Sequence, residues 1–492
     1  MPAHLRIQKH NIDPSARSRH NMFQFLRYLL PWTFSFLIAA CRPLPGDSGW
    51  NQFHGGALNR GYMDVRSDVP LHPSWSVELG SLSWGSPVLD GNGNIYLATF
   101  DELVAVSSSG SVLWRRSVGE AKFLSSAAIG ESGHVYVVST REDEDATNGA
   151  TSTLHAFEAS GNPLWSFALP EEGYSLSSPK TWMVDSSEYV FLYGWVKTRG
   201  TLFILDQNGN LMYTQSLGCS GDIIGEGPGD IPGDIFDDFF SDIWDFIMEV
   251  FNSEFDTSGV DPDTKWGKLL IMPPDPTVAI QAGREDSQRM PIVVVADRQC
   301  PLIAYRWQPP NNLTQEWYWE LQYEGGHSSP SISGGPIVLA GHDGVVRAYD
   351  WQTGKLLWEY KDEDVDEPLS FIATPAQFIT PIYVVDIRGR IYAITTTGQL
   401  WLKVDSGGST IASPALTRDW LYLSTYDGFH AYSTGFEQHW SDSTLRGGKS
   451  SPAIGPGGEV YVAGRIPNGE EVLRAYPGRP QQRGTPTSVP TP

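Results

Sequence analysis

An all-β fold, a closed ring of eight four-stranded antiparallel sheets, is the class this sequence predicts, and three observations predict it. A strand-turn-strand unit recurs about every 40–50 residues. Gly 50 and Pro 35 punctuate the chain and aromatics reach 12%, a mixture of turn formers and large flat side chains suited to strands. Charged residues make up only 18%, too few for a long exposed helical array. At 492 residues the chain has room for two or three ordinary domains or for one large repeat array.

The first forty residues stand apart. Arg6, Lys9, Arg17, Arg19 and Arg27 precede the apolar run YLLPWTFSFLIAA at 28–40. About 13 residues fall short of a bilayer core of roughly 30 Å but suit a signal-peptide core. The run ends in Ile38-Ala39-Ala40-Cys41, small residues before a cysteine as in the bacterial lipobox. Residues 1–40 therefore read as a lipoprotein signal peptide, Cys41 as the lipidated residue and 41–49 as a tether. An ordinary signal peptide followed by an incidental cysteine is the plainer alternative, and Met22 is an alternative start.

Residues 1–40 carry a net +4, so the remainder has −27 against −23 for the whole chain. Such a surface repels nucleic acid and anionic head groups, and membrane contact is expected through the anchor alone. With Cys41 lipidated, Cys219 and Cys300 remain. They could form one disulfide in an oxidising compartment or stay as buried thiols.

The repeat is clearest in AYDWQTGKLLWEY, 348–360. Copies end at Trp114, Trp165, Tyr213, Trp358, Trp401 and Trp440, and a looser one at Trp317. Most follow a β-branched strand such as NIYLAT or PIYVVD, and before it a Ser-Pro or close variant. These are Ser86-Pro87, Ser125-Ser126, Ser178-Pro179, Ser329-Pro330, Thr374-Pro375, Ser413-Pro414 and Ser451-Pro452; the looser copy shows none. One unit is thus four strands, the form of a propeller blade. The eighth copy, LRAYPG, stops at Gly478 with no aromatic after it. PSWSVEL at 73–79, with Trp75, is the candidate to supply its outer strand and leave no open sheet edge. Residues 50–478 would form the ring.

Within the unit Ala348 recurs as Ala105, Ala156, Ala304, Ala393, Ala431 and Ala475, with Ile204 the exception, and its small side chain allows close blade contact. Gly354 can take a positive φ, and Asp350 and Thr353 can bond turn amides. Trp358 is expected to lie against the next blade, as are Trp75, Trp114, Trp165, Tyr213, Trp317, Trp401 and Trp440. A buried Trp covers roughly 150–250 Å², about 4–6 kcal/mol gross at ~25 cal/mol per Å². Residues repeated in nearly every blade hold the ring together and mark no single site.

Residues 218–272 interrupt the pattern with 13 acids against Lys265 and Lys268. DIFDDFFSDIWDFIMEVF, 234–251, has helical spacing, with Phe236, Phe240, Ile243 and Ile247 on one face and acids on the other. This amphipathic acidic helix could dock a partner or fold back on its own blade. The tail, 479–492, is Pro/Thr-rich and expected to be disordered.

The A-x-D-x-x-T-G-K-x-x-W unit, together with WNQFHGGALNRG at 50–61, resembles the pyrroloquinoline-quinone (PQQ) type propellers. That family divides into quinoprotein dehydrogenases and non-catalytic propellers, among them BamB, the lipoprotein of the outer-membrane β-barrel assembly machinery. The dehydrogenases typically stack the quinone on a disulfide between adjacent cysteines, whereas the cysteines here are at 41, 219 and 300. Their spacing also permits no C-x-x-C-H haem attachment. The resemblance implies a monomeric, non-catalytic envelope lipoprotein with no cofactor, binding other envelope proteins through propeller loops, in outer-membrane protein assembly or on the cell surface. A PQQ-dependent dehydrogenase or a small-ligand-binding sensor is the alternative.

No other motif points to chemistry. DGNGN at 90–94 lacks the acid at loop position 12 of a calcium-binding EF-hand and reads as a hairpin turn. No H-E-x-x-H occurs, and His155, His342 and His430 fit packing or hydrogen bonding. GCSGD at 218–222 is not a hydrolase elbow. No catalytic or metal-ligating residue is assigned. The Ser-Pro residues should line a central channel, filled with water and with hydroxyls satisfied, or else holding a ligand.

Overall fold

The computed structural model describes residues 49–69, 72–147, 149–220, 277–282, 290–297, 300–319, 328–333, 335–341, 343–363, 370–378 and 380–478. The leader, the acidic helix expected at 234–251 and the tail lie outside them. The described strands form eight antiparallel sheets, one per repeat. In the first blade Val88–Leu89, Ile95–Ala98, Leu103–Val106 and Val112–Arg116 pair in that order from the axis outward. The second blade adds a short strand, Lys122–Phe123, to its four. The eighth consists of Ala453–Ile454, Val460–Arg465 and Glu471–Tyr476, and its outer strand is Trp75–Glu78 from the other end of the chain. Trp75 pairs with Ala475 and Glu78 with Val472. The N-terminal strand thus closes the ring, as the sequence predicts.

Blade stacking explains the composition of the strands. Each middle strand is covered on both faces by neighbouring blades, so Ile95–Ala98 and Leu103–Val106 are buried at every residue and their sequences are continuously apolar. Outer strands cover one face only, and Leu356–Lys361 shows partial burial only at alternate residues from Trp358.

The joint between blades is a ring laid on a glycine. Trp75, Trp114, Trp165, Trp317 and Trp358 lie over Gly110, Gly161, Gly209, Gly354 and Gly398 of the following blade, where a Cβ would come closer than 3.0 Å. In the repeated turn, Gly354 has φ 68°, a left-handed conformation open to glycine without penalty. Asp350 there accepts N–H bonds from Gln352 and Thr353 at 3.1 and 2.8 Å. Each of these five indoles also donates its N–H to a backbone carbonyl of that next turn, at 2.8–3.1 Å. Tyr213 meets Trp307 of the fourth blade at 6.0 Å between ring centroids, and Trp440 meets Tyr476 of the eighth at 5.7 Å.

Trp401 departs from the expected docking role. Counted from the turn glycine, the docking ring is the fourth residue in AVSSSGSVLW and its relatives. The fourth residue after Gly398 is Leu402, and Leu402 pairs with Ala393. Trp401, one position early on an alternating strand, points outward and is 54% exposed. The next turn is altered to match. Phe436 takes the left-handed position, φ 57°, and is only 3% exposed. It packs with Tyr383 and Tyr432 in the cluster against which Leu402 also packs. Leucine plus phenylalanine here fills the space that tryptophan plus glycine fills elsewhere.

One mouth of the central channel is capped. Residues 50–61 run around the ends of the innermost strands, and seven blades each donate a backbone N–H to them in turn. Leu89, Ile129, Ile280, Ile332, Gln377 and Leu416 bond the carbonyls of Trp50, Asn51, Ala57, Leu58, Arg60 and Gly61 at 2.7–2.9 Å. Thr181 bonds the Gln52 side chain at 3.0 Å. The segment then pairs with the seventh blade, where Asp64 and Arg418 form an ion pair at 2.6 Å.

Candidate functional site

The channel above this cap gathers residues from all eight blades. Its middle layer is a circle of hydroxyls, Ser86, Ser126, Ser178, Thr277, Ser329, Thr374, Ser413 and Ser451, all buried. Each sits at the start of an innermost strand, so one comes from every blade. The backbone N–H of one member donates to the hydroxyl of the next blade, at 2.8–3.3 Å, in seven of the eight steps. The step from Ser451 to Ser86 closes the circle. Proline after six of the eight explains the local geometry, since the residue before proline is held extended and offers its own N–H sideways.

Two residues earlier, on the same side of the extended segment, a second layer forms the open mouth. It contains Trp84, Leu124, Ile372, Ile411 and Lys449. The Lys449 ammonium sits 4.5 Å from the centroid of the Trp84 ring, an attractive placement over the ring face. Phe53 of the cap forms part of the floor. Below it, Lys180 donates to the carbonyls of Phe53 and Gly56 at 2.7 and 2.5 Å, which fixes the cap to the third blade. The enclosed cavity is about 50 Å³, room for a few water molecules.

The ring hydroxyls line the channel, as the sequence predicts for the Ser-Pro positions. They accept from the backbone, yet among the described residues none donates its own proton to a protein atom. Sequence reading also missed Thr277, because Asp275-Pro276-Thr277-Val278 does not match Ser-Pro; its place in the fourth blade was recoverable from the spacing to the strand that follows. Lys449 and Trp84 carried no repeat signal at all.

Other predicted positions do not converge on the channel. Cys41, Phe236, Phe240, Ile243 and Ile247 lie outside the described residues. Cys219 and Cys300 fall on the outer strand of the third blade and the third strand of the fourth, with side chains outside the described set. His155 accepts or donates between Ser139 and Ser166, each at 2.8 Å. His430 stands between Thr425 and His439, each at 3.1 Å. Burial pushes both histidines down to about 4, so both serve as neutral hydrogen-bonding groups in their blades. His54, in the cap, faces the carbonyls of Asn59 and Pro414 at 2.8 and 2.9 Å, and burial likewise pushes it down to about 4.

The lining does not fit the quinone and calcium of a quinoprotein enzyme. Calcium takes about six to eight oxygen ligands, carboxylates prominent among them, and no carboxylate lines the described channel. Pockets for ligands of cofactor size run to roughly 300–1,000 Å³, well beyond the 50 Å³ enclosed here.

The profile of the family described as outer membrane protein assembly factor BamB matches residues 39–222 and 281–462. Among solved structures, a quinohemoprotein alcohol dehydrogenase from Pseudomonas putida HK5 is 13% identical, with 91% of this chain and 83% of that one covered and a TM-score of 0.57. For the quinohemoprotein alcohol dehydrogenase of Comamonas testosteroni the values are 14%, 92%, 83% and 0.55. For BamB from Moraxella catarrhalis they are 13%, 80%, 83% and 0.44. At these identities the two dehydrogenases show a shared fold and nothing more. No curated protein matches the sequence.

Proposed function

The chain belongs to the family described as outer membrane protein assembly factor BamB, and from that premise we propose that it is a non-catalytic, lipid-anchored scaffold of the bacterial cell envelope. It binds other envelope proteins through the loops of a rigid propeller and takes part in outer-membrane protein assembly. The observation that carries the non-catalytic reading is the channel. Its described lining is hydroxyls, apolar side chains and one ammonium, with no carboxylate for general acid-base work or for calcium. The dehydrogenase fold similarity is as expected for two branches of one architecture and brings no site residue with it.

The cap supports an orientation. Trp50 lies on the capped face, nine residues after Cys41. Nine extended residues reach about 30 Å at ~3.3–3.6 Å each, so a lipid on Cys41 holds the capped face toward the bilayer. The open mouth and the connections between blades then face away from the membrane. The described chain resumes after the acidic insertion at Thr277 of the hydroxyl circle.

Affinity capture of the intact lipoprotein from its own envelope, with and without residues 221–276, tests the proposal. Co-purification of β-barrel assembly components that depends on the insertion is the expected result. Substrate oxidation by protein reconstituted with PQQ and calcium would overturn it.

A further inference from the structure

We propose that Cys219 and Cys300 close into a disulfide that staples the third blade to the fourth at the root of the acidic insertion. The sequence alone leaves open whether these cysteines pair or stay as thiols; the strand register brings them together. Leu211–Ser220, the outer strand of the third blade, packs against Cys300–Gln308 of the fourth. On the first strand Tyr213 and Leu217 turn toward the fourth blade, and Cys219, two places beyond Leu217, shares their face. The irregular stretch there preserves this parity, with Ser216 opposite Thr201 and Ser220 opposite Arg199. On the second strand Ile303, Tyr305 and Trp307 turn toward the third blade, while Leu302 and Ala304 turn toward the fifth. Simple alternation would place Cys300 with the latter pair. A bulge reverses this: Val295 stands opposite Ile303 and Asp297 opposite Cys300, two steps against three. Val295 lies in the cluster shared with the third blade, Asp297 is on its face, and residues directly opposite share a face. Cys300 therefore belongs on the side of Cys219.

The strand ends match as well. Cys219 is the last residue but one of its strand and Cys300 the first of its own, so both lie at the ends away from Tyr213 and Trp307, whose rings meet at 6.0 Å. Facing sheets stand roughly 10 Å apart, a separation that an inter-sheet disulfide spans in antibody domains. This joint lacks the tryptophan-on-glycine contact, and the insertion follows directly on Ser220. A bond here makes 220–299 a closed loop, so that a partner held by the insertion pulls on two blades at once. Closure is a thiol–disulfide exchange with an external disulfide, an oxidoreductase or oxidised glutathione. The thiolate of one cysteine attacks a donor sulfur and expels one donor thiolate; the thiolate of the other then attacks the mixed disulfide and expels the second. Two electrons pass to the donor, whose thiolates take up the protons that the cysteines released. Oxidation in the cell rests on the exported location proposed above, whereas closure in vitro rests on geometry alone.

Reduced full-length protein, equilibrated with oxidised and reduced glutathione, provides the test. Peptide mapping without reduction should recover the Cys219 peptide joined to the Cys300 peptide, and thiol alkylation after denaturation should be lost at both positions. Urea midpoints then report the staple. Dithiothreitol should lower the midpoint of oxidised wild type and leave that of Cys219→Ser/Cys300→Ser unmoved, and each single variant should lose as much as the double. The wild-type comparison stands whether or not the variants fold. Free thiols or glutathione adducts at both positions after equilibration would overturn the inference, as would pairing of either cysteine with Cys41 or with a second chain. So would a wild-type midpoint that dithiothreitol does not move. Closure in vitro together with reduced thiols in protein isolated from its own envelope would uphold the pair and count against export.

Discussion

Replacing the sixth-to-seventh blade joint by the pair used elsewhere in the ring tests whether the joint is a two-residue unit. Phe436→Gly alone empties a buried aromatic site. Phe→Ala changes in cores cost about 3–5 kcal/mol, and release of a left-handed non-glycine residue, φ 57°, returns about 1 kcal/mol. A net loss of about 2–4 kcal/mol is expected. Leu402→Trp alone forces an indole into space that Phe436 occupies, an overpacking cost of about 1–3 kcal/mol. The double variant Leu402→Trp/Phe436→Gly recreates the tryptophan-on-glycine joint seen at Trp358 and Gly398. It should lie within about 1 kcal/mol of wild type, a coupling of at least ~2 kcal/mol between the sites. Melting temperature is an insensitive readout here, roughly 1 °C per kcal/mol at ~2.1 cal/mol/K per residue over a ring of this size. Urea midpoints at matched m-values are the better assay. A double variant that loses the sum of the two single effects would refute the idea that Leu402 and Phe436 replace a tryptophan and a glycine.

Three further outcomes follow from the same structure. Trp75→Ala removes the ring over Gly110 and its bond to Ser108; it should cost about 2–3 kcal/mol and expose residues 73–79 to limited proteolysis, whereas an unchanged cleavage pattern would separate Trp75 from ring closure. His54, His155 and His430 are kept neutral by burial, each pushed down to about 4. The unfolded chain therefore takes up their protons first. The stability they contribute is complete above about pH 6.5 and falls away as pH drops toward 4; urea midpoints across that range should show the decline, and His155→Gln should flatten it. Mass spectrometry of the mature protein should find a diacylglycerol-modified Cys41 as its first residue, and an unmodified cysteine or another cleavage point would end the anchoring proposal.

The ring was legible in the sequence because its parts repeat. A tryptophan four residues after a turn glycine, an alanine on the neighbouring strand and a β-branched strand before it recur often enough to count the blades. Even the missing outer strand could be located by what the last copy lacked. Repetition also misled: Trp401 looks like the other rings because tryptophan is present, and only the spacing from Gly398 shows that Leu402 holds the position. What does not repeat was harder to see. Lys449 and Trp84 occupy places where other blades carry Leu124 or Ile372, so no pattern marks them. The cap sequence WNQFHGGALNRG reads as a loop, because its carbonyls rather than its side chains do most of the bonding, and carbonyls leave no trace in residue identity.

That cap addresses a question the blade joints leave open, namely why the ring has eight members. A tryptophan on a glycine is a contact between neighbours, and nearest-neighbour contacts alone propagate without fixing a total. The outer strand Trp75–Glu78 closes whichever blade is last and is equally indifferent to number. Residues 50–61, by contrast, hold a separate acceptor for a backbone N–H from each of seven blades in chain order, and the hydroxyl circle returns to its start only when Ser451 reaches Ser86. A ring that lacked one of those seven blades would leave a cap acceptor and a buried hydroxyl unmatched, at about 1–3 kcal/mol apiece; the eighth blade, which makes no such bond to the cap among the described residues, is held by the hydroxyl step from Ser451 to Ser86. The non-local hub, therefore, and not the repeated joint, favours the full set of eight. Substitutions there should broaden the distribution of folded states, whereas substitutions at a single joint should only lower stability.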